Sequence, residues 1–399
     1  MRILPLADIH ASSATKHQDK LRRSLDQIIE YAQEIKIDYF PISGDIWDSL
    51  QAYREGTGVE MMHGYLRKLA SLSKFVVITK GNREHDATGS VSLLHKLEPN
   101  ILAYEDPVNL AFYETGIYKG TPHTRYVDLL RENAENLLEG IPPEVIIGMM
   151  PYPNKAMLVK DQSIDENNFD YGAVFEGLMD VFGLINDKYH CPKILGFHGN
   201  VNGARISTGQ SVKGHDIIIS PLSLMKARAD YYPLGHIHLA QDITPTMRYV
   251  GCPWNMSWGE TDQKYFTVLN LENGLITTEH IPLIAARPMV EVIGEFKDGK
   301  FIYENHIPKN AEVRFKYTII ENEKNLITDE QEAELKKAFG DDVRIDPTVI
   351  PVQRESRSED IMSARTTLDE VREYAKVTGE EITRSIEKKI AEIQDVEGI

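Results

Sequence analysis

The sequence opens MRILPLADIH (residues 1–10), a short apolar run of Ile3, Leu4 and Leu6 that ends abruptly in Asp8 and His10. Read as a buried strand, the run puts side chains two apart on one face. Asp8 and His10 would then project together from the strand end as a two-pronged metal clamp. A single pair of this kind is equally what a solvated strand end looks like. It gains weight because the same event recurs four times along the chain.

The next run is IDYFPIS (37–43), followed at once by Gly44, Asp45, Ile46, Trp47 and Asp48. The third is FVVIT (75–79), which leads through Gly81 and Asn82 to Arg83, Glu84, His85 and Asp86. KILGFHGN (193–200) delivers His198, and YYPLGHIH (231–238) delivers Gly235, His236, Ile237 and His238. In α/β sheets ligands bind beyond the carboxyl ends of the strands, so residues far apart in sequence can meet in one site. The donors decide the ligand. Asp8, His10, Asp45, Asn82, His198, His236 and His238 supply imidazoles, carboxylates and one amide, with no cysteine, a set that suits Mn, Fe or Zn. Seven donors are too many for one ion and suit two ions sharing a carboxylate. A two-metal centre is a device for hydrolysing phosphate esters, because it activates water and clamps the oxygens of an in-line displacement.

Composition sets bounds. The chain has 399 residues, 42% of them hydrophobic, enough for two or three domains with packed cores. Its start has too few apolar residues before Asp8 for a signal peptide, and no run approaches the ~20 residues of a membrane span. Cys191 and Cys252 match no zinc spacing and fit a reducing cytosol as core fillers. A net charge of −17 argues against a surface coated in DNA-binding cations and favours either a local basic strip aided by a partner or a small phosphorylated substrate. Helical stripes are carried by residues 18–35 (Leu21, Leu25, Ile28, Ala32, Ile35) and 58–72 (Val59, Met62, Leu66, Leu69, Leu72). Strands are expected at 101–103, 108–112 and 145–149, and helices at 125–138 and 165–189. The glycine-rich segment 199–214, with Arg205 and Lys213, reads as a loop bearing on the substrate phosphate or as an ordinary surface connection.

The ordered series DIH, GDIWD, GNRE, the lone His of FHGN, and GHIH resembles the calcineurin-like metallophosphoesterase superfamily. Its motifs read D-x-H, G-D-x-x-D, G-N-H-D/E, H and G-H-x-H in that order. Within it, length, the segment YVGCPWNMSWGE (249–260) and the downstream region are similar to SbcD-type DNA repair exonuclease subunits. The resemblance implies an α/β fold, a layered β-sandwich flanked by helices, with a small α+β capping domain and C-terminal helices. It implies that Asp8, His10, Asp45 and His238 hold one divalent metal and that Asp45, Asn82, His198 and His236 hold a second. Asp45 would bridge the ions, Mn²⁺ would be preferred, and Asp48 would orient a histidine from behind. It implies 3′ to 5′ exonuclease action on duplex DNA ends and endonuclease action on single strands. The protein would be a homodimer in the cytoplasm of a bacterium or a virus-infected bacterial cell, without membrane attachment.

The third motif departs from the family. Where the superfamily has His directly after Asn, this chain has Arg83, with Glu84 at the acidic position. Arginine can offset charge on a transferring phosphoryl group but cannot donate a proton, because its pKa lies above ~12. His85, two places on, can titrate near neutrality and is the other candidate for catalytic acid, against a bland reading as a loop residue. If neither serves, the chain is a weakened scaffold that binds DNA ends.

Domain boundaries are expected at 284/285 and 355/356: residues 1–284 a nuclease domain, 285–355 a capping domain, and 356–399 C-terminal helices. The capping region shows strand-like runs at 289–293, 301–303 and 313–320, a helix at 328–339 with Asp329 and Glu330 in its first turn, and a strand at 343–345. The tail carries stripes of Leu368, Val371 and Ala375, then Ile382, Ile386, Ile390 and Ile393. Such helices either fold back on the chain or dock in a groove of a partner, which by resemblance is an SbcC-like coiled-coil ATPase.

Overall fold

The computed structural model describes residues 1–118, 121–131, 141–153, 170–206, 210, 217–272, 274–304, 307–308, 310–351, 366–379 and 381–397. They divide into two compact units. The first comprises Met1–Val292, Asn305–Arg314 and Phe339–Arg344, and the second Ile293–Glu304, Phe315–Ala338 and Ile345–Ile399.

The first unit is built on two large sheets and a two-stranded one. In chain order its strands are β1 (Arg2–Ile3), β2 (Tyr39–Ser43), β3 (Phe75–Thr79), β4 (Ile101–Tyr104), β5 (Val108–Tyr118), β6 (Thr121–Asp128), β7 (Val145–Met150), β8 (Lys193–His198), the short β9 (Asn200–Val201) and β10 (Ile218–Ile219), β11 (Tyr232–Gly235), β12 (Gln241–Thr244), β13 (Met247–Tyr249), β14 (Tyr265–Glu272) and β15 (Leu275–Pro282). One large sheet runs β15-β14-β1-β2-β3-β4, the other β12-β13-β11-β8-β7-β5-β6, and the two-stranded one is β10-β9. β1 to β4 are mutually parallel, as are β7, β8 and β11, and the donor-bearing segments leave from the carboxyl ends of β1, β2, β3, β8 and β11.

Alternation along each strand sets the layers. Tyr39, Phe75 and Val77 turn inward to meet Phe112, Val145, Ile147 and Ile194 of the other sheet, whereas Phe40, Ile42, Val76 and Ile78 turn outward. Over that outer face lie helices α1 (Thr15–Glu34) and α3 (Thr57–Ser71), with the short α2 (Leu50–Glu55) before α3. Helix α4 (Tyr171–Asn186) and the short α5 (Pro221–Met225) cover the second sheet through Phe175, Met179, Phe182 and Leu224. Helix α1 has no side-chain cap at Ala14 but buries Leu21, Leu25, Ile28, Ile29 and Ala32. A cap contributes about 1 kcal/mol and each buried aliphatic about 1.5–3, so packing rather than capping holds this helix.

Strands β16 (Met289–Lys297), β17 (Lys300–Tyr303), β18 (Glu312–Ile320) and β19 (Arg344–Ile350) form a further sheet in the order β17-β16-β18-β19, most of its residues in the second unit, with helix α6 (Asp329–Phe339) between β18 and β19 in the chain. Phe296, Phe301, Phe315 and Tyr317 pack edge to face or stacked within it. Helices α7 (Thr367–Thr378) and α8 (Arg384–Glu397) are joined by an Arg372–Glu387 ion pair of 2.9 Å. Thr366 caps α7 by accepting from Asp369 N–H, and Gly379, at φ +73°, ends it. Ala375 and Ile390 are buried, while Tyr374 and Ile386 stay exposed.

Three expectations need correction. Residues 1–10 are not one continuous strand: pairing covers Arg2–Ile3 and an isolated bridge from Leu6 to Ile42, and the chain beyond is a loop. The helix expected from residue 125 begins instead as the end of β6, because Val127, Tyr126 and Arg125 pair with Ala111, Phe112 and Tyr113. Residues 132–138 lie outside the described residues. The helix expected at 165–189 is Tyr171–Asn186, started by Asp170, which accepts from Ala173 N–H; residues 165–169 lie outside the described residues.

Candidate metal centre

Asp8, His10 and Asp45 stand at left-handed backbone positions (φ +52°, +49° and +50°), and so does His236 (φ +97°). Non-glycine residues adopt this region rarely and at a cost, so surrounding bonds must enforce it. They do. The two loops are zipped by Asp8 N–H to Gly44 O (3.1 Å), His10 N–H to Asp45 O (3.0 Å) and Ala11 N–H to Ile46 O (2.8 Å). Asp8 and His10 therefore converge through two left-handed turns rather than through strand pleating.

Glycine is needed where the backbones cross. A Cβ on Gly81 would lie 2.0 Å from Asp45 Oδ1, and one on Gly44 would lie 2.4 Å from His198 Nδ1. Gly44 also holds φ +77°, so both the space and the conformation require glycine.

Around this crossing the side chains meet. Asp8, His10 and His238 form one group whose ligand atoms lie within 4.8 Å of one another; His10, Asp45 and His85 form a second, and Asp45, His198 and His236 a third. His10 Nε2 stands 3.1 Å from His238 Nε2, and His198 Nε2 stands 3.3 Å from Asp45 Oδ2. Bonds of about 2.1 Å to a shared ion give donor separations of about 3.0–3.4 Å, so these spacings suit metal ligands. His198 Nδ1 is 2.6 Å from Ser43 O, which aims its other nitrogen at Asp45. His236 N–H donates to Asp8 Oδ1 (2.8 Å), and Asn82 N–H donates to Asp45 Oδ1 (2.9 Å). The Asn82 side chain donates to Asp45 Oδ2 (3.3 Å), so it sits against the same carboxylate.

The electrostatics ask for a cation. Asp8 and Asp45 are buried, and the ion-pair partners of Asp45 are imidazoles. Asp8 Oδ2 and His10 Nδ1 are buried without a hydrogen bond. Burial lifts the Asp8 carboxyl to about 7, with His198 pulling against the shift and Asp45 adding to it. Burial pushes Asp45 up too, but the charges of His198 and His85 and the His198 hydrogen bond hold it below the ordinary carboxylate range. Burial disfavours the His198 cation, yet Asp45 and Asp8 outweigh it and raise the imidazole to about 9. Burial drives His10 well down and, with Lys264 nearby, takes His238 to about 3, so both are neutral ligands at pH 7. The buried His and Asp groups here could hold a metal ion.

The structure separates the two catalytic candidates. His85 Nε2 is 4.0 Å from Asp45 Oδ2, its ring is 4.4 Å edge-on from His10, and its Nδ1 is 2.5 Å from Asp48 O. Asp48 thus meets a histidine through its backbone carbonyl. Arg83 and Glu84 are exposed.

Other supports were not evident from sequence. Gln210, inside the 199–214 segment, donates to His236 O (2.5 Å) and accepts from His238 N–H (3.1 Å), clamping the backbone on either side of Ile237. Arg205 is exposed and Lys213 lies outside the described residues. Trp254 Nε1 donates to Ile9 O (2.9 Å) beneath the first loop, and the buried Lys264 pairs with Glu260 and Asp262 at 3.0 Å beside His238 O. The aromatic, glycine-rich character of 249–260 was the signal for this floor; nothing marked Gln210. Cys252 is buried and Cys191 partly so, and burial raises both thiols, Cys191 to about 11, which leaves them unreactive at pH 7.

Fold and centre together define a layered α/β protein of metallophosphoesterase type. The chain is 24% identical over 316 residues to the SbcD subunit of the nuclease SbcCD of Escherichia coli (strain K12), a match covering 74% of this chain and 71% of the relative. The protein of the same name from Escherichia coli O157:H7 matches equally. No protein-family model matches the chain. The chain is thus similar in sequence to SbcD over about three quarters of its length. Among the described residues, no helix is long and apolar enough to cross a membrane.

Proposed function

We propose that this protein is a two-metal DNA nuclease that hydrolyses phosphodiester bonds, as an exonuclease (3′ to 5′) on duplex ends and an endonuclease on single strands, in DNA repair or recombination in the cytoplasm. The observation that supports the reading is the sharing of Asp45 and His10 between neighbouring donor groups, the arrangement that two ions held side by side would use. Asp8, His10, Asp45 and His238 would hold one ion, and Asp45, Asn82, His198 and His236 the other, with Mn²⁺ as the favoured metal. Bound ions supply Lewis-acid activation of water and of the phosphoryl oxygens.

The chain supplies the rest. His198 and His236 hold their orientation through Ser43 O and the backbone contact to Asp8. His85, at the rim and partly exposed, is the group placed to give a proton to the departing 3′ or 5′ oxygen. Arg83, exposed, meets the DNA backbone rather than the reacting atoms. The relatives' name makes each one part of a complex, and the exposed Tyr374 and Ile386 on the last two helices suit docking on an SbcC-like coiled-coil ATPase. A homodimer with that partner would supply the cationic grip that a net charge of −17 withholds.

The test gives purified protein Mn²⁺ with linear duplex DNA, single-stranded circles and a generic phosphodiester, alongside Asp8→Ala, His85→Ala and Arg83→Ala. DNA cleavage lost in Asp8→Ala supports the proposal. Turnover of the small ester alone would replace it with a phosphoesterase on a small substrate, the reading the acidic surface favours. Metal-bound protein that cuts nothing would make the chain a DNA-end-binding scaffold.

A further inference from the structure

Asp86 belongs to none of the donor groups above, yet it is fully buried and both of its carboxylate oxygens are occupied by backbone. Oδ1 accepts from Ile46 N–H (3.0 Å) and Trp47 N–H (3.3 Å), and Oδ2 accepts from Gly81 N–H (2.7 Å). Ile46 follows Asp45 and Gly81 precedes Asn82, so one side chain ties the loop after β2 to the loop after β3 beside two proposed ligands. Its own N–H donates to Asn82 O (2.8 Å), and His85 N–H approaches the same carbonyl at 3.3 Å. The chain therefore closes a single helical turn from Asn82 to Asp86. Arg83 and Glu84 face solvent, while His85 and Asp86 come back over Asn82.

We infer that Asp86 is a positioning residue of the metal centre: through three backbone amides it sets the register of Asp45, Asn82 and His85. The inference rests on the metal-centre reading above. It also reassigns the third motif. By sequence order Glu84 would be its carboxylate, but the Glu84 side chain is exposed, and it is Asp86 that accepts from the amides of Ile46, Trp47 and Gly81. Three N–H donors on one buried carboxyl group are directional and fix both loops against it. An amide cannot replace it, because its NH₂ group would face an N–H donor on one side.

Mn²⁺ binding by calorimetry and the visible spectrum of the Co²⁺-loaded full chain would be compared for the wild type, Asp86→Asn and Glu84→Gln. Asp86→Asn is expected to weaken Mn²⁺ binding about 10- to 100-fold and to alter the Co²⁺ bands, with Glu84→Gln unchanged. Wild-type affinity and spectrum in Asp86→Asn overturn the inference while leaving the metal centre standing. A wild type that binds neither ion overturns the metal centre and the inference with it. Should Asp86→Asn fail to fold, hydrogen exchange of the wild type decides: the amides of Ile46, Trp47 and Gly81 should exchange far more slowly than those of Arg83 and Glu84, and equally fast exchange defeats the idea.

Discussion

Two regions of the centre differ in how they are held. The crossing of the loops after β1 and β2 with the end of β8 is sealed: Asp8, His10 and His198 are 0% exposed and Asp45 1%, and each is fixed by backbone geometry or a carbonyl. The turn from Asn82 to Asp86 is open on one side, with the His85 side chain 27% exposed. Groups that bind a cation gain from a dry, fixed setting, whereas a group that gives a proton to a substrate must reach it. The contrast divides binding from chemistry within one site.

The sharpest way to break that division is Asp45→Ala. Loss of the shared carboxylate should reduce metal content and lower cleavage by about 10³-fold, roughly the 4 kcal/mol expected of a metal's charge stabilisation. Activity near wild type at normal metal content would put the centre elsewhere. His85→Gln should act on the other region alone, cutting kcat by about 10²- to 10³-fold with Mn²⁺ affinity within about twofold. Arg83→Ala should change KM more than kcat, and an equal loss of kcat in both variants would erase the distinction. Gly81→Ala joins the regions, since its methyl would press on Asp45; a stability loss of about 1–3 kcal/mol in denaturant melts, together with weaker metal binding, is expected.

The mildest effect is protonic. His198 is raised to about 9 and Asp8 to about 7, so at pH 7 the metal-free site carries protons that a metal must displace. Metal affinity should rise with pH between about 6 and 9 and level off above, because both groups bind metal only when deprotonated. Calorimetry in buffers of different ionisation enthalpy would count the protons released. Affinity independent of pH would mean the protons lie elsewhere.

Much of the fold was legible because β2, β3, β7 and β8 are uniform apolar runs, and because the apolar stripes of α1 and α3 keep helical spacing. The β6 segment was not, since the edge strand Thr121–Asp128 carries no such run and is fixed by its pairing with β5. The donor residues were readable as types at strand ends. The turn that brings His85 back was not, because Arg83 and Glu84 separate it from Asn82 and sequence order points to the exposed Glu84 rather than to the buried Asp86.

The chain by itself determined which chemical groups are delivered and at which strand ends, since apolar runs must be buried and polar residues at their tips must emerge together. Only the tertiary structure decided how they converge. Left-handed turns at Asp8, His10 and Asp45, glycines with no room for a Cβ, and the Asp86 clamp depend on backbones from distant segments pressing on one another, and such contacts leave no periodic trace in sequence.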